Sequence, residues 1–394
     1  MKKKKFLNLY KNLSIKFKRK FILDIFFLLI IGALTSLSLP PLNFFLINFL
    51  TFSIFFVFLF KNLNHSSKKN FFLYGWLFGF GYFLTNIYWI TISLTFDKDL
   101  NFLVPIALIL IPAFLALFYG IITLIFYIFN PKNEISAFFL FSLLFGLIEY
   151  IRGNIFTGFP WNLIIYSLAD NINLLSFLSV IGTYSFNLLL ISFFVTPAIY
   201  ILRKSKKEIV FTLLLIPIFL LGYSALYKNV FFNKELKENP FIIRIISSNI
   251  SLDRFYKNID TEKVISELIN LSAPDPEKKI FFIWPEGIIP DTYQDQLILY
   301  NNLFKNNFTK NHLVGLGITK RLENKKQYKY FNSFSVFDSN LNLIKNYNKV
   351  NLVPFGEFLP FEKFLENIGL KIITNNYQSY SFGEERNIID LNYN

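Results

Sequence analysis

Three charged residues lie in two short segments, and their types could support acid–base catalysis with stabilisation of a negative charge. Glu286 follows an apolar run in FFIWPEGIIP, and Lys349 and Glu357 lie in YNKVNLVPFGEFLP. A carboxylate close to a thiol can take its proton and later act as a general acid. A lysine ammonium can stabilise the oxyanion of a tetrahedral intermediate, where a directed charge lowers the barrier strongly. Such a centre also needs a nucleophile, and the chain contains no cysteine.

Each of these residues, taken singly, also has an ordinary structural interpretation. A glutamate after a strand-ending proline, such as Glu286, is usually a solvated loop acid. A lysine in an asparagine-rich stretch, such as Lys349, is usually a surface residue. Glu357 lies in a Pro-Phe-Gly-Glu turn and could be a turn acid. The predicted secondary structure and the domains around these residues are therefore needed to distinguish the catalytic interpretation from the ordinary one.

The first 227 residues are much more apolar than the rest of the chain. Overall, 53% of the 394 residues are hydrophobic and 17% are charged, which is too apolar for a soluble protein of this length. We predict a basic tail over 1–20, a membrane domain over 21–227 and a globular domain over 228–394 that is long enough to bury a core. Seven apolar runs approach the roughly 20 helical residues that cross a bilayer, near 21–39, 43–60, 71–92, 103–129, 135–155, 173–201 and 209–227. A signal peptide over 1–39 is the weaker alternative, because six more apolar runs follow.

The net charge of +14 is concentrated in the membrane half of the chain. Residues 1–227 carry a balance of +12 and residues 228–394 one of +2, so no surface for nucleic acid is indicated. The predicted cytoplasmic segments hold 17 Lys and Arg, whereas the outer loops hold two, Lys98 and Arg152. The positive-inside rule then places the N-terminus in the cytoplasm. An odd number of spans places the globular domain on the far side of the membrane.

Several polar and small residues stand out in the membrane half. Glu149 and Arg152 are three residues apart in IEYIRGNIFTGFPWN, so they can pair on one helix face. Two interpretations of this pair stay open: a helix-end ion pair that snorkels to the interface, or a contact with a lipid headgroup. Gly75 and Gly79 form a small-xxx-small pattern, which predicts close helix packing.

The globular half alternates between strand and helix patterns. Val264, Ile265, Leu268 and Ile269 form the apolar stripe of a helix. Nearly continuous apolar strands that alternate with helices predict an α/β layer fold. We predict strands at 241–250, 279–287, 312–319, 331–338 and 341–350, and helices at 261–271 and 295–308.

The order of these motifs resembles the nitrilase superfamily: a strand ending in WPEG, a strand ending in GIT, then YFNSFSVFDSNLNLIKNYNKVNLVPFGEFLP. Seven predicted spans precede them, with TGFPWNL at 157–163 and YGWLFGFGYFLTNIYWITISL at 74–94. The chain is therefore similar, over nearly its whole length, to the apolipoprotein N-acyltransferase family. The resemblance implies a multi-pass α-helical membrane domain followed by an α/β nitrilase-like α-β-β-α sandwich. It also implies a bacterial inner membrane, with the globular domain in the periplasm.

The resemblance implies a catalytic set of Glu, Lys and Cys, in which Glu286 and Lys349 match the first two. Glu357 matches a further glutamate that holds the lysine and steers the incoming amine. Phe255 stands nearest the family's Lys-Trp pair and is a candidate for contact with the acyl chain. Trp161, Glu149 and Arg152 are further candidates for substrate contact. No cofactor and no metal are implied, and His65 and His312 have no partners at metal-ligand spacing.

The family's cysteine follows the lysine on a later strand, and this chain has no cysteine. We therefore expect the globular domain to be incomplete at its C-terminus and the chain by itself to be inactive. The implied reaction moves an acyl chain from a phospholipid to a diacylated apolipoprotein through a thioester. Two alternatives are a membrane-anchored amidase of the nitrilase type and a catalytically dead protein that binds lipid or lipoprotein.

Overall fold

The computed structural model divides into two units, Met1–Glu235 and Leu236–Asn394. The first unit is helical, and the second is a mixed sheet with helices. The predicted division at residues 227 and 228 lies close to this boundary. The structure describes residues 21–95, 98–176, 178–202, 241–250, 260–324, 327–354, 356–360 and 379–386, together with single positions between 215 and 226 and after 360.

Long helices make up the described part of the first unit. Polar side chains cap two of them, because Ser67 accepts a hydrogen bond from the amide of Asn70 and Asn133 accepts one from that of Ser136. Among the described residues, four helices are long and apolar enough to cross a membrane: α1, α4, α5 and α6. Helix α3, together with the 3-10 helix that follows it at a bend, could be a fifth. The helices are α1 (Phe21–Ser38), α2 (Ile47–Asn62), α3 (Lys68–Asn86), α4 (Val104–Phe129), α5 (Glu134–Asn154) and α6 (Thr183–Leu202).

Three of the predicted spans coincide with α1, α4 and α5, and α4 continues through Pro112. The other predicted spans differ in extent. The run 43–60 forms α2, which has only 16 residues because Asn43, in the left-handed region, delays its start. The run 71–92 bends by 49° between α3 and the 3-10 helix Tyr88–Thr95. Gly182, with φ of +79°, breaks the run 173–201, so only α6 qualifies. The run 209–227 lies mostly outside the described residues, so the total of seven stays a prediction.

Gly75 confirms the predicted close packing, because it lets α3 approach α4 backbone to backbone. A Cβ at Gly75 would lie 2.2 Å from the carbonyl oxygen of Tyr119 and 2.3 Å from Oγ1 of Thr123. At Gly79, one helical turn further on, an added Cβ would lie 2.9 Å from Cβ of Tyr119. Small residues of this kind let two membrane helices gain dispersion energy that bulky side chains would prevent.

The described part of the second unit contains a five-stranded sheet, whose strands lie side by side in the order β1-β2-β3-β4-β5. The first three strands are parallel, and β3, β4 and β5 are antiparallel. Helices α7 (Thr261–Ser272) and α8 (Asn301–Asn307) lie in the two parallel connections. The strands are β1 (Phe241–Ile245), β2 (Lys279–Trp284), β3 (His312–Asn324), β4 (Gln327–Phe337) and β5 (Leu343–Asn348).

The core of the second unit lies between α7 and one face of this sheet. Ile265 and Leu268 are fully buried against Phe282 of β2 and Leu316 of β3. Alternation along β2 places Ile280, Phe282 and Trp284 in that core and Phe281 in a smaller cluster with Leu313 and Val336. The described part of this unit contains one sheet and its helices, so the remaining layers of the expected α-β-β-α sandwich stay a prediction.

Most predicted elements of this unit have wrong boundaries. The predicted strands 241–250, 279–287 and 341–350 are shorter in the structure, where they are β1, β2 and β5. The predicted helix 295–308 is a 3-10 helix, Gln294–Tyr300, followed by α8. The predicted strands 312–319 and 331–338 are both longer, because β3 and β4 pair as one antiparallel hairpin from Val314↔Phe337 to Asn324↔Gln327. Cross-strand pairing extends β3 beyond the apolar run that revealed it.

We predict that Gly75→Ala destabilises the first unit, although alanine is the better helix former. The added methyl group would overlap the backbone of α4, and overpacking of this kind typically costs about 1–3 kcal/mol. The measurement is the thermal unfolding midpoint in a fixed detergent. The control is Gly222→Ala, whose Cβ meets no described atom within 4 Å. Equal midpoints for the two variants would contradict the proposed close contact of α3 with α4.

Candidate active site

Glu286 lies just beyond the carboxyl end of β2. Pro285 cannot donate a ladder hydrogen bond, so the strand ends at Trp284. Gly287 then turns the chain with φ of +60°, and its amide donates to the carbonyl oxygen of Gly317 at 3.3 Å. A Cβ at Gly317 would lie 2.9 Å from Cα of Glu286, so a side chain there would displace the glutamate. Glycine at 317 therefore lets Glu286 lie directly against β3.

Lys349 follows the last residue of β5, and its backbone is held on both sides. Its amide donates to the carbonyl oxygen of Asn332 at 2.8 Å, which extends the pairing of β5 with β4. The amide of Gly383 donates to the carbonyl oxygen of Lys349 at 2.9 Å. The lysine therefore starts from a fixed backbone position, although its long side chain is intrinsically flexible.

Glu357 ends the tight turn that the sequence indicates. Its amide donates to the carbonyl oxygen of Val353 at 2.8 Å, and its Oε2 accepts from the amide of Val353 at 2.7 Å. The side chain of Glu357 is 11% exposed. Its backbone carbonyl oxygen also accepts from the amide of Tyr380 at 2.8 Å. The turn therefore fixes one carboxylate oxygen and leaves Oε1 for other partners.

The structure brings Glu286, Lys349 and Glu357 together in one cluster. Nζ of Lys349 lies 2.9 Å from Oε1 of Glu357 and 3.7 Å from Oε1 of Glu286. The lysine side chain is 34% exposed and that of Glu286 is 62% exposed. An ammonium group beside an accessible carboxylate can stabilise an oxyanion while the carboxylate moves a proton. The catalytic roles of these residues stay predictions.

Asn332 on β4 is part of this cluster and was missed by sequence reasoning. Its Nδ2 donates a hydrogen bond to Oε1 of Glu286 and another to Oε1 of Glu357. The one signal in the sequence is an asparagine inside a run of strand-forming residues, where asparagine is disfavoured. Its contacts depend on the strand register, which places Asn332 opposite Thr319 of β3. The order of residues along the sequence does not reveal that register.

The predicted pairing of Glu149 with Arg152 in the first unit is confirmed. Nε of Arg152 donates to Oε2 of Glu149 at 2.8 Å, and the hydroxyl of Tyr119 donates to Oε1 at 2.7 Å. Nη1 of Arg152 donates to the carbonyl oxygens of Phe159 and Trp161 at 2.7 and 3.0 Å. Both side chains of the pair are 1% exposed, so the snorkelling interpretation is wrong. The predicted headgroup contact stays a prediction, and the pair fixes the loop that follows α5.

Trp161 lies in the loop that Arg152 holds. The residue is 47% exposed, and its ring stacks on that of Trp89, with 5.2 Å between ring centroids. The ring of Phe159 lies 5.4 Å from it on the same loop. Exposed tryptophans are typical of membrane interfaces, so the substrate contact of Trp161 stays a prediction. Phe255, the other aromatic candidate, lies outside the described residues.

We predict that Arg152→Met and Glu149→Gln each destabilise the first unit strongly. Removing one partner leaves the other polar group buried without its counter-charge, which typically costs about 3–5 kcal/mol. The double variant should cost clearly less than the two single costs together, because no unpaired charge remains. The measurement is the free energy of unfolding of all four proteins in one detergent. Additive costs would show that the two residues act independently.

Comparisons with known proteins agree with this architecture. Residues 31–196 match the family model of the apolipoprotein N-acyltransferase N-terminal domain. An apolipoprotein N-acyltransferase of Rickettsia prowazekii is 30% identical over 372 residues, which cover 90% of this chain and 70% of the relative. Proteins of the same name from Rhizobium leguminosarum and Brucella melitensis are 29% and 27% identical over 379 residues, 91% of this chain and 70% and 69% of the relatives. The chain therefore belongs to the apolipoprotein N-acyltransferase family.

Proposed function

We propose that this protein takes part in the N-acylation of lipoproteins. An acyl chain moves from a phospholipid to the N-terminal amine of a diacylglyceryl-cysteine lipoprotein, through a thioester on a cysteine. The observation that carries the proposal is the ammonium of Lys349 between the carboxylates of Glu286 and Glu357 in a chain of this family. The names of its relatives support the same reaction class.

In the first step, Glu286 takes the proton of the cysteine thiol, and the thiolate attacks the carbonyl carbon of the phospholipid ester. Lys349 stabilises the oxyanion of the tetrahedral intermediate by its positive charge. The intermediate collapses to a thioester when the ester C–O bond breaks. Glu286 returns its proton to the departing oxygen, which gives a lysophospholipid. The electron pair of the broken bond and the proton both leave with this alcohol.

In the second step, the free amine of the lipoprotein attacks the thioester carbonyl carbon. Glu286 accepts a proton from the amine and passes it to the departing thiolate, which restores the thiol. Lys349 stabilises the second oxyanion at the same place. Glu357 keeps the lysine in position during both steps, because its own carboxylate is fixed by the turn at Val353.

The proposed location is a bacterial inner membrane, with the globular domain in the periplasm. The 17-to-2 asymmetry of basic residues between the two sets of loops supports this orientation. Phospholipid and lipid-modified protein would then reach the globular domain from the outer leaflet. We infer that residues 21–227 anchor the protein in the lipid bilayer and that residues 228–394 carry the catalytic residues.

The decisive test is acyl transfer by this chain once a cysteine is supplied. The 394 residues contain no cysteine, so the test joins the chain to the cysteine-bearing segment of a relative. We expect this chimera to take a labelled acyl chain from phospholipid and to pass it to a diacylglyceryl lipopeptide, read by mass spectrometry. The relative itself serves as the positive control. A folded, membrane-inserted chimera that forms no acylated lipopeptide under those conditions would overturn the proposal.

We predict that Glu286→Gln and Lys349→Met in this chimera slow acyl-enzyme formation by about two to four orders of magnitude, the usual range for a general base or a preorganised charge. Each change keeps the side-chain length and removes the acceptor or the charge. The matched controls are Glu323→Gln and Lys345→Met on exposed strand positions. The measurement is the burst of labelled acyl-enzyme, with thermal unfolding of every variant. A near-normal burst in either variant would remove that residue from the mechanism.

We predict that a reporter active only outside the cytoplasm is active when fused near residue 235 and inactive when fused near residue 65. The basic residues at 61–70 should keep that loop in the cytoplasm. The measurement is reporter activity at equal expression of the two fusions. The reverse pattern would refute the proposed orientation without affecting the chemistry assigned to the cluster.

A further inference from the structure

We propose that Asn332 is the positioning residue that holds Glu286 on Lys349. The proposal concerns the same site as the proposed function and gives that site its geometry. Asn332 is bonded to each charged residue of the cluster: its Nδ2 donates to both carboxylates, and its backbone carbonyl oxygen accepts the amide of Lys349 at 2.8 Å.

The chemistry of the cluster fixes the orientation of the Asn332 amide. Oε1 of Glu286 and Oε1 of Glu357 are acceptors, and ionised carboxylates can only accept. The other orientation would direct Oδ1 of Asn332 at both carboxylates and leave two N–H groups without these partners. The NH2 group has two hydrogens, so one amide can serve both oxygens. The amide therefore acts as a bridge between the two carboxylates.

The charges show why a neutral donor is needed. The three ionisable side chains sum to one negative charge, and both Oε1 atoms lie within one hydrogen bond of the same nitrogen. Like charges so close together repel. Nζ of Lys349 lies much nearer to Glu357 than to Glu286, at 2.9 against 3.7 Å, so it compensates Glu286 less well. The second N–H of Asn332 supplies the attraction that Glu286 lacks.

The two carboxylates do not depend on Asn332 equally. Glu357 has a second anchor, since its Oε2 accepts from the amide of Val353, and it is nearly buried. Glu286 is 62% exposed, and its carboxylate could turn into water at little cost. Loss of the Asn332 side chain should therefore release Glu286 and leave Glu357 on the lysine. A general effect on folding would affect both carboxylates together.

Carbodiimide cross-linking of the unmodified 394-residue chain measures how often each of the two carboxylates contacts Lys349. The reagent activates a carboxylate, and an amine in contact with it displaces the urea to form an amide. Only carboxylates in contact with Lys349 should be linked to it, and proteolysis with mass spectrometry separates the links to Glu286 and Glu357. The ion pair of Lys278 with Asp275, at 2.9 Å elsewhere in the second unit, serves as the internal reference.

In Asn332→Ala we expect the Glu286–Lys349 link to fall about threefold to tenfold, as for the loss of a partly exposed charge-assisted hydrogen bond. The Glu357–Lys349 link should stay within about twofold of the parent chain, because Val353 still holds that carboxylate. Asn332→Leu keeps the side-chain size, carries no carboxylate that could itself be linked to Lys349, and should give the same selective loss because the donor is removed. The control Asn340→Leu makes the same change at an exposed turn and should alter neither link.

An unchanged Glu286–Lys349 link in both Asn332 variants would overturn the proposal. An equal fall of both links would overturn it too, because Asn332 would then only support the folding of this edge. The cross-link needs no catalysis, so it decides the placement even if the chimera fails to transfer acyl groups. In an active chimera, Asn332→Leu should lower kcat by about tenfold or more and leave KM for phospholipid within about threefold, as expected for a displaced base.

Discussion

Two carboxylates share one ammonium group at the edge of the sheet, and the arrangement of the site depends on keeping these three charges together. Two unit charges about 4 Å apart interact by about 1 kcal/mol in water and about 4 kcal/mol near a protein surface. A single lysine cannot satisfy both carboxylates fully, as the unequal distances of 2.9 and 3.7 Å show. The remaining stabilisation of the two carboxylates comes from neutral hydrogen-bond donors, the side-chain amide of Asn332 and the backbone amide of Val353. These donors stabilise two negative charges without neutralising Glu286, the proposed base.

The backbone places these donors by combining two kinds of strand pairing. Parallel pairing of β2 with β3 puts Glu286 at the carboxyl end of β2, and Gly317 lets it approach β3 closely. Antiparallel pairing of β3, β4 and β5 then brings Asn332 and Lys349 to the same edge. A shift by one residue in β4 would turn the Asn332 side chain to the helix-covered face, because side chains alternate along a strand. The chemistry of the site is therefore a consequence of register.

This dependence on register explains which parts of the site could be predicted from sequence. Glu286, Lys349 and Glu357 could be found because the order of their motifs resembles a known family, whereas each residue alone has an ordinary structural interpretation. Asn332 acquires its role only through pairing with Thr319 and Lys349, which are remote in the chain. In the first unit, the pairing of Glu149 with Arg152 follows from helical spacing. The capture of the carbonyl oxygens of Phe159 and Trp161 does not, because it depends on how the loop returns to the helix.

Two charge clusters among the described residues differ strongly in burial. Glu149 and Arg152 are 1% exposed, and hydrogen bonds from Tyr119 and to two loop carbonyls complete their partners. A charge so enclosed is costly to uncover, so it can hold a loop but cannot readily exchange a proton with a substrate. Glu286 is 62% exposed, so its carboxylate is accessible to a substrate. The proposed base has to be both accessible and correctly oriented, and the hydrogen bond from Asn332 orients Glu286 as burial orients Glu149.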